Sequence, residues 1–469
     1  MMNYTVEQNK VIFSEDNFIY VIAFAGTGKT TTLRAYAEVR PEKKILYVAY
    51  NDSVVREARS KFPKNVTVLT SHSLAYRKLG FNYKHKLTGY IKPDMVRKSL
   101  LLPRNVSNII LSKKVLEGVD KYCQSSYVSI EDCYYLVEDI PCDKKTYLFM
   151  VKKIWEKMNN LNSTFPITHD FYLKKFELLS PKLDYDVILF DEAQDANSAT
   201  KSLILKQRMY QDIKILFVGD NHQEIYSFRG SNNALRGGEN NYYLTQSFRF
   251  GNNIASVGNK VISLFKNEEK EIKGNNYIND CVGVEYDCQT AYISRTNAMV
   301  VANAIIMTDK NKKIFFVGGL KSYNFSKIID VDNLFRGDRK AIVDYSIKKY
   351  KTFEQFERSA KEEDNYEYIY LCKIVKTYSE KIRDAMKKLN YLVVQDINKA
   401  DVILTTAHKS KGLEFHQVIL SNDFAKFFNK DGTIKIDVKE EEVNVLYVAL
   451  TRAIYSLIPN KELDKIIGF

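Results

Sequence analysis

Long apolar runs are missing from this 469-residue sequence: the longest, Phe18 to Phe24, falls far short of the roughly 20 residues that a membrane-spanning helix requires. The start, Met1 to Lys10, lacks the charged-then-apolar order of a secretory signal. A soluble, unexported protein with no membrane partner is therefore expected. Cysteine is scarce and wrongly spaced for metal or redox chemistry. Cys123, Cys133, Cys142, Cys281, Cys288 and Cys372 form no C-x-x-C pair, and neither Cys281 nor Cys288 has the neighbouring ligands that zinc requires. Reduced thiols in a cytosolic or nuclear setting follow. Tryptophan occurs once, at Trp155, and neither a short repeat nor a low-complexity segment is present. With 45% hydrophobic residues the chain can nevertheless bury several cores, so two to four domains are expected.

Acidic residues are outnumbered, 57 Asp+Glu against 70 Lys+Arg, which leaves a formal charge of +13. That balance suits an anionic partner such as nucleic acid, although it also describes a merely basic, soluble surface. The doublets Lys113-Lys114, Lys144-Lys145, Lys152-Lys153 and Lys174-Lys175 fall in one region, and each by itself reads as a solvated helix face. Abundant Lys, Asn, Ile and Tyr point to AT-rich coding, hence a low-GC bacterium, a phage or another virus.

The run Phe18 to Phe24 is rich in β-branched and aromatic side chains and bounded by turn residues, which predicts a buried parallel strand. Ile45–Tyr50, Val66–Leu69, Val187–Phe190 and Ile215–Val218 repeat its character, with helical patterns over Thr30–Val39 and Asp52–Phe62 between the early ones. The expected fold class is α/β, an open doubly wound parallel sheet. From Tyr76 to about Leu183 the pattern turns long, charged and helical. A second strand-rich region contains Tyr292–Ser294, Ile314–Val317, Tyr391–Val394, Val402–Thr406 and Val418–Leu420, and a helical stretch from Ser322 to Lys388 interrupts it. Two sheet domains, each split by an insertion, are the simplest partition.

The first strand runs into Ala25-Gly26-Thr27-Gly28-Lys29-Thr30-Thr31 and then a helical pattern. Strand, glycine loop, Lys-Thr and helix make a phosphate cradle: backbone N–H groups face phosphate oxygens, Lys29 meets the β/γ oxygens and Thr30 ligates Mg2+. Ala23 stands where the general pattern has its first glycine. A triphosphatase also needs a carboxylate on the metal and another that activates water, at the end of a neighbouring strand. Asp191-Glu192 after Val187–Phe190 fit, and Gly219-Asp220 with Gln223, a group able to sense the γ-phosphate or its water, follow the next strand. Arginines must meet charge developing on the γ-phosphoryl group, and Arg249 and Arg452 are candidates, although from sequence each is equally a surface or ion-pair arginine.

Taken together, Ala25–Thr30, Asp191-Glu-Ala-Gln-Asp195, Gly219-Asp220 with Gln223–Gly230, Gln246-Ser-Phe-Arg249, His408–Phe415 and Glu441-Glu442 leading to Leu450-Thr-Arg-Ala453 resemble, in order and over nearly the whole chain, the superfamily 1A DNA helicases of the UvrD, Rep and PcrA kind. Ser71–Ala75, Tyr243–Gly251 and Ala407–Phe415 look most like the F-box DNA helicases, with no room expected for an F-box before Thr5 and none after the last motif for a nuclease or partner-binding tail. The resemblance implies two RecA-like P-loop domains: 1A over 1–75 and 184–250, with a helical insertion 1B over 76–183, and 2A over 251–321 and 389–469, with a reduced 2B over 322–388. It implies ATP and Mg2+ as cofactors, the metal on Thr30 and Asp191. The nucleotide would be held by Gln8, Ala25 to Thr31, Phe248 stacked on adenine, Glu414 on the ribose, and both Arg249 and Arg452 on the γ-phosphate. Thr5-x-x-Gln8 is also a helix capping box. Lys29, Asp191, Glu192, Gln223, Arg249 and Arg452 would be catalytic. Tyr50, His72, Tyr226, Phe228, Arg229 and His408 would line the path of single-stranded DNA, with Phe228 where the bacterial enzymes carry Trp. The implied activity is 3′-to-5′ translocation and unwinding for repair, recombination or replication, on single strands and single-strand/duplex junctions, with protein partners unspecified. The alternative is a nucleotide-gated DNA-binding subunit or a recombinase-stripping translocase with little unwinding. Its place would be the cytoplasm with the nucleoid, a phage- or virus-infected cell, or the nucleus of a eukaryote.

Overall fold

The computed structural model describes residues 4–49, 52–210, 213–226, 241–363 and 365–468. They fall into two compact units, one from Met1–Ala23 and Gly28–Leu244, the other from Phe24–Thr27 and Thr245–Phe469. The division lies at Leu244/Thr245, a few residues before the expected boundary at 250, and the second unit also claims part of the phosphate loop.

The first unit is built on a six-stranded sheet of β1 (Phe18–Ala23), β2 (Ile45–Ala49), β3 (Val66–Thr70), β4 (Val187–Phe190), β5 (Lys214–Gly219) and β6 (Asn241–Leu244) in the order β3-β2-β4-β5-β1-β6. Every pairing is parallel. Successive side chains of a strand leave on opposite faces, so each strand feeds two cores. Ile19, Val21, Ile45, Tyr47, Leu189 and Leu216 pack under the helix Lys29–Glu38 side. Tyr20, Leu46, Val48, Ile188, Phe190 and Phe217 pack on the other face, in one continuous core with Val115, Val119, Ile154 and Phe171. Those last residues belong to helices Val106–Gln124, Lys144–Asn159 and His169–Leu179. The helical stretch therefore shares its apolar interior with the sheet. Register pairs Ile22 with Gly219 and Phe190 with Phe217, so β1, β4 and β5 end in line and the residues that follow them emerge at one edge.

The second unit has its own parallel sheet of β7 (Cys281–Val282), β8 (Thr290–Ser294), β9 (Ile314–Phe316), β10 (Val402–Thr406), β11 (Phe415–Leu420) and β12 (Ala453–Ile458), ordered β7-β12-β11-β8-β10-β9. Helices Asn297–Asp309, Phe325–Phe335, Phe353–Glu362 and Tyr366–Leu392 share a core with Ile314, Phe316, Val402 and Leu404.

One expected strand is overturned: the first half of Tyr391–Val394 is the end of helix Tyr366–Leu392, because the helical spacing of buried Leu371, Ile374, Val375, Ile382, Ala385 and Leu389 carries the helix through Leu392. Only Val393 keeps a strand-like role, as a lone bridge to Ile314. Three strands, β6, β7 and β12, have no counterpart in the sequence reading. The first two are short edges, and Ser456 interrupts the apolar run of the third. All six cysteines are free thiols, and no described helix is long and apolar enough to cross a membrane.

Candidate active site

In the first unit the helix Lys29–Glu38 begins at Gly28, whose φ of +76° is a left-handed conformation that glycine adopts without cost. Lys29 Nζ lies 3.3 Å from Glu192 Oε1, and Thr30 Oγ1 lies 3.5 Å from Asp191 Oδ2. The order of the strands thus brings together the two ends of the chemistry that the sequence separates by some 160 residues. Asp191 is positioned by backbone and side chain: its N–H donates to Val48 O at 3.0 Å, and the Tyr47 hydroxyl donates to Oδ2 at 2.5 Å. Glu192 sits at φ 51°, ψ 41°, a left-handed conformation that a non-glycine residue adopts only when its surroundings impose it.

Behind the pair lies Gln194, which sequence reasoning passed over although it stands inside the Asp191–Asp195 run. Its Nε2 donates to Glu192 Oε2 at 2.5 Å and its Oε1 accepts the Asp220 N–H at 3.1 Å. Asp220 in turn holds Gln223, whose Nε2 donates to Oδ2 at 2.7 Å. Glu192 and Gln223 are thereby linked through two buried side chains, so the expected water-activating and γ-sensing groups share one framework.

The electrostatics follow from burial. Asp191 is removed from water and faces the charge of Glu192, which together raise its pKa to about 6 against the opposing pull of Lys29 and the Tyr47 donor. Burial would lower the Lys29 pKa, but Glu192, Asp220 and Asp191 outweigh it and hold the ammonium charged. Thr30 and Asp191 place two hard oxygen donors 3.5 Å apart beside the loop. Such a sparse set fits Mg2+, which keeps waters and phosphate oxygens as its other ligands. No described cluster of three or more His, Cys, Asp or Glu offers a full protein cage.

In the second unit, Phe24–Thr27 lies against the Gln246–Arg249 motif. Phe248 N–H donates to Gly26 O at 2.8 Å, and a Cβ on Gly26 would stand 2.6 Å from Ser247 Oγ. The Ala25 N–H donates to the Tyr447 hydroxyl at 3.3 Å, a partner assigned no role from sequence. Thr27 is folded back, its hydroxyl donating to Phe24 O at 2.9 Å. The Phe248 ring is 46% exposed, open to a flat ligand. Arg249 and Glu414, expected on different parts of the nucleotide, form an ion pair at 2.8 Å, and Arg249 also donates to Thr451 O. Arg452 is 1% exposed and donates to the carbonyls of Val448 and Leu413, tying the Glu414 segment to the end of helix Glu440–Leu450. In this conformation Arg249 occupies the ion-pair role that its sequence position left open, whereas Arg452 is buried on backbone carbonyls and is not the surface arginine that its sequence position also allowed.

Of the remaining expected residues, Gln8 completes a reciprocal capping box with Thr5, at 3.0 and 3.1 Å. Thr31 lies in the first turn of its helix. His72 Nε2 is 2.9 Å from Asp170 Oδ1, a residue of the helical stretch, in a groove of about 840 Å³ also lined by Tyr76, Arg77 and His169. Tyr226 follows β5, and His408 lies on the short helix Ala407–Ser410 after β10, half-buried. Tyr50, Phe228 and Arg229 lie outside the described residues.

A family model described as an AAA domain matches residues 8–229, and one described as a UvrD-like helicase C-terminal domain matches residues 344–459. The chain belongs to the UvrD-like helicase family. Within this family it is similar to F-box DNA helicase 1 of Gallus gallus, 32% identical over 100% of this chain and 49% of the relative. It is also similar to F-box DNA helicase protein 1 of Schizosaccharomyces pombe, 30% identical over 98% of this chain and 58% of the relative. Gabija protein GajB of Bacillus cereus is 26% identical over 57% of this chain and 62% of its own length. The UvrD-like chain thus spans only about half the length of the two F-box DNA helicases.

Proposed function

We propose that this chain is an ATP-dependent DNA helicase that translocates 3′ to 5′ on single-stranded DNA and acts at single-strand/duplex junctions in repair, recombination or replication. The observation that carries the reading is the convergence of Lys29, Thr30, Asp191 and Glu192 at one edge of the first sheet. Its chemistry is that of nucleoside-triphosphate hydrolysis. Lys29, kept charged by three carboxylates, meets the β/γ oxygens. Glu192 takes the proton of the attacking water as its oxygen bonds to the γ-phosphorus and the bond to the β-bridging oxygen breaks. Mg2+ held by Thr30 and Asp191 would offset the negative charge of the phosphates. Gln223 senses the γ-phosphate, while Arg249 and Arg452 leave their present partners to meet charge on the transferring group.

Gln8, Phe248 and Glu414 take the adenine and ribose in this reading, with Ala25 to Thr31 around the phosphates. His72, Tyr226 and His408, with Tyr50, Phe228 and Arg229, contact the strand by stacking and polar contacts that do not depend on base identity. The 1A, 1B, 2A and reduced 2B partition belongs to the same proposal, as does action inside the cell with its DNA, in cytoplasm or nucleus. The test is ATP-driven unwinding of duplexes with a 3′ or a 5′ single-stranded tail. Separation of the 3′-tailed duplex alone is expected, and exclusive separation of the 5′-tailed duplex would reverse the assigned polarity.

A further inference from the structure

The second unit carries a groove of about 380 Å³ that none of the assigned residues touches. It lies between helix Tyr366–Leu392, the segment after β11 and the segment after β12. Lys373, Lys426, Lys435 and Lys461 line it together with Tyr366, Tyr370 and Phe424. Like charges gathered at one place repel, and neighbouring lysines relieve that cost with acids: Lys376 pairs with Glu357 at 2.8 Å and Lys465 with Glu462 at 2.8 Å. Among the described residues no ion pair engages any of the four lysines of the groove. Its one described acid, Glu462, is already committed to Lys465 and to the Phe427 N–H at 3.0 Å.

The walls are fixed before any ligand arrives. Asn422 joins all three: its carbonyl accepts from the Tyr370 hydroxyl at 3.1 Å and its Oδ1 from the Lys461 N–H at 3.1 Å. Asn460 Nδ2 donates to Ser421 O at 2.9 Å, and Lys435 N–H donates to Phe427 O at 3.0 Å. A rigid frame with four lysines outside any described ion pair, Lys373 lying 4.6 Å over the Tyr370 ring, and a Tyr366 ring 61% exposed matches a ligand that alternates negative charge with flat apolar rings. An acidic peptide would use the lysines and leave the ring idle. Stacked duplex would hide its base faces from the ring.

We propose that this groove is a further contact for single-stranded DNA, with the lysines on its phosphates and Tyr366 stacked on a base. The inference rests on the proposed DNA function and extends the strand's track beyond the residues named there.

The test uses the full chain and a fluorescein-labelled oligothymidylate, with binding followed by anisotropy across a salt series. Each phosphate contact adds about 0.7 to the slope of log affinity against log salt for a single strand, so K373Q/K426Q/K461Q should lower the slope by about 2 and the affinity at 0.1 M salt by about 10- to 100-fold. DNA-independent ATPase and melting temperature should stay at wild-type values. The corresponding Lys→Arg variant should keep the slope. K376Q/K381Q/K465Q, which removes the same charge from lysines already paired with Glu357, Asp309 and Glu462, should also keep it. An unchanged slope in the first variant, or an equal fall in the paired-lysine control, overturns the groove while wild-type binding leaves the DNA function standing. Loss confined to duplex DNA or to polyglutamate overturns it in favour of that ligand. Failure of the wild type to bind the oligonucleotide removes both readings.

Discussion

The Tyr47 hydroxyl and the Thr30 hydroxyl converge on the same oxygen of Asp191, Tyr47 at 2.5 Å from Oδ2 and Thr30 at 3.5 Å. Tyr47 is fully buried on β2, so it can hold the carboxylate without access to solvent. Partners that orient a metal-binding carboxylate govern metal affinity. Tyr47→Phe should therefore raise the Mg2+ concentration for half-maximal ATP hydrolysis by about 10-fold with little change at saturating metal. A Mg2+ titration identical to that of the wild type would show that Tyr47 only packs.

Lys29 and Glu192 face each other but should fail differently. Lys29→Ala removes charge from the phosphates, and hydrolysis should be lost with the fold intact. Glu192→Gln keeps the shape and the neighbouring Gln194 but loses the base, so a fluorescent ATP analogue should still bind while turnover falls by about 10²- to 10⁴-fold. Loss of analogue binding in Glu192→Gln would assign Glu192 to the binding of nucleotide instead.

Gly26 has no room for a side chain. Its φ is +73°, and a Cβ would stand 2.6 Å from Ser247 Oγ and 2.7 Å from Arg249 Cβ. Gly26→Ala should push the loop off the Ser247–Arg249 backbone and weaken ATP analogue binding by about 10-fold or more, a cost of about 1.4 kcal/mol. Wild-type affinity in this variant would show that the loop tolerates the shift.

Asp120 gives the fold a pH dependence. It lies in the groove with His72, Asp170 and Arg77, where burial first and then the charges of Asp170 and Glu117 raise its pKa to about 7. A carboxyl whose pKa rises on folding binds its proton more tightly in the native state, so its contribution makes stability fall as pH rises from about 4 to about 7. Asp120→Asn should remove that slope and melt at higher temperature than the wild type at pH 8, by about 1–2 kcal/mol of stability, with the gap closing toward pH 4. A gap that does not change with pH would place the titrating group elsewhere.

Much of this architecture was legible because burial writes itself into runs of residues. The central strands β1, β2, β4, β5 and β10 are buried on both faces, and their unbroken apolar runs announced them. The edge strands β6 and β7, four and two residues long, are too short to leave an apolar run of their own. Tyr391–Val394 misled because a short apolar run fits a strand or a buried helix end equally well. At the site, Lys29, Thr30, Asp191 and Glu192 stood out because each follows a strand within a recognisable string. Tyr47 and Tyr447 did not, since an aromatic residue inside a buried strand or helix reads as packing, and only the fold shows its hydroxyl reaching Asp191 or the Ala25 N–H. The Arg249–Glu414 pair was likewise invisible, because it joins residues from two separate motifs.

Hydrolysis at Lys29, Asp191 and Glu192 is proposed to serve movement on DNA. This role is tested most directly by the steady-state rate of ATP hydrolysis by the purified chain, measured with and without saturating single-stranded oligonucleotide of mixed sequence. A low rate alone and a steep rise with the oligonucleotide, abolished by Lys29→Ala, are expected. An equal rate in the presence and absence of DNA, in a preparation that hydrolyses ATP, would contradict it.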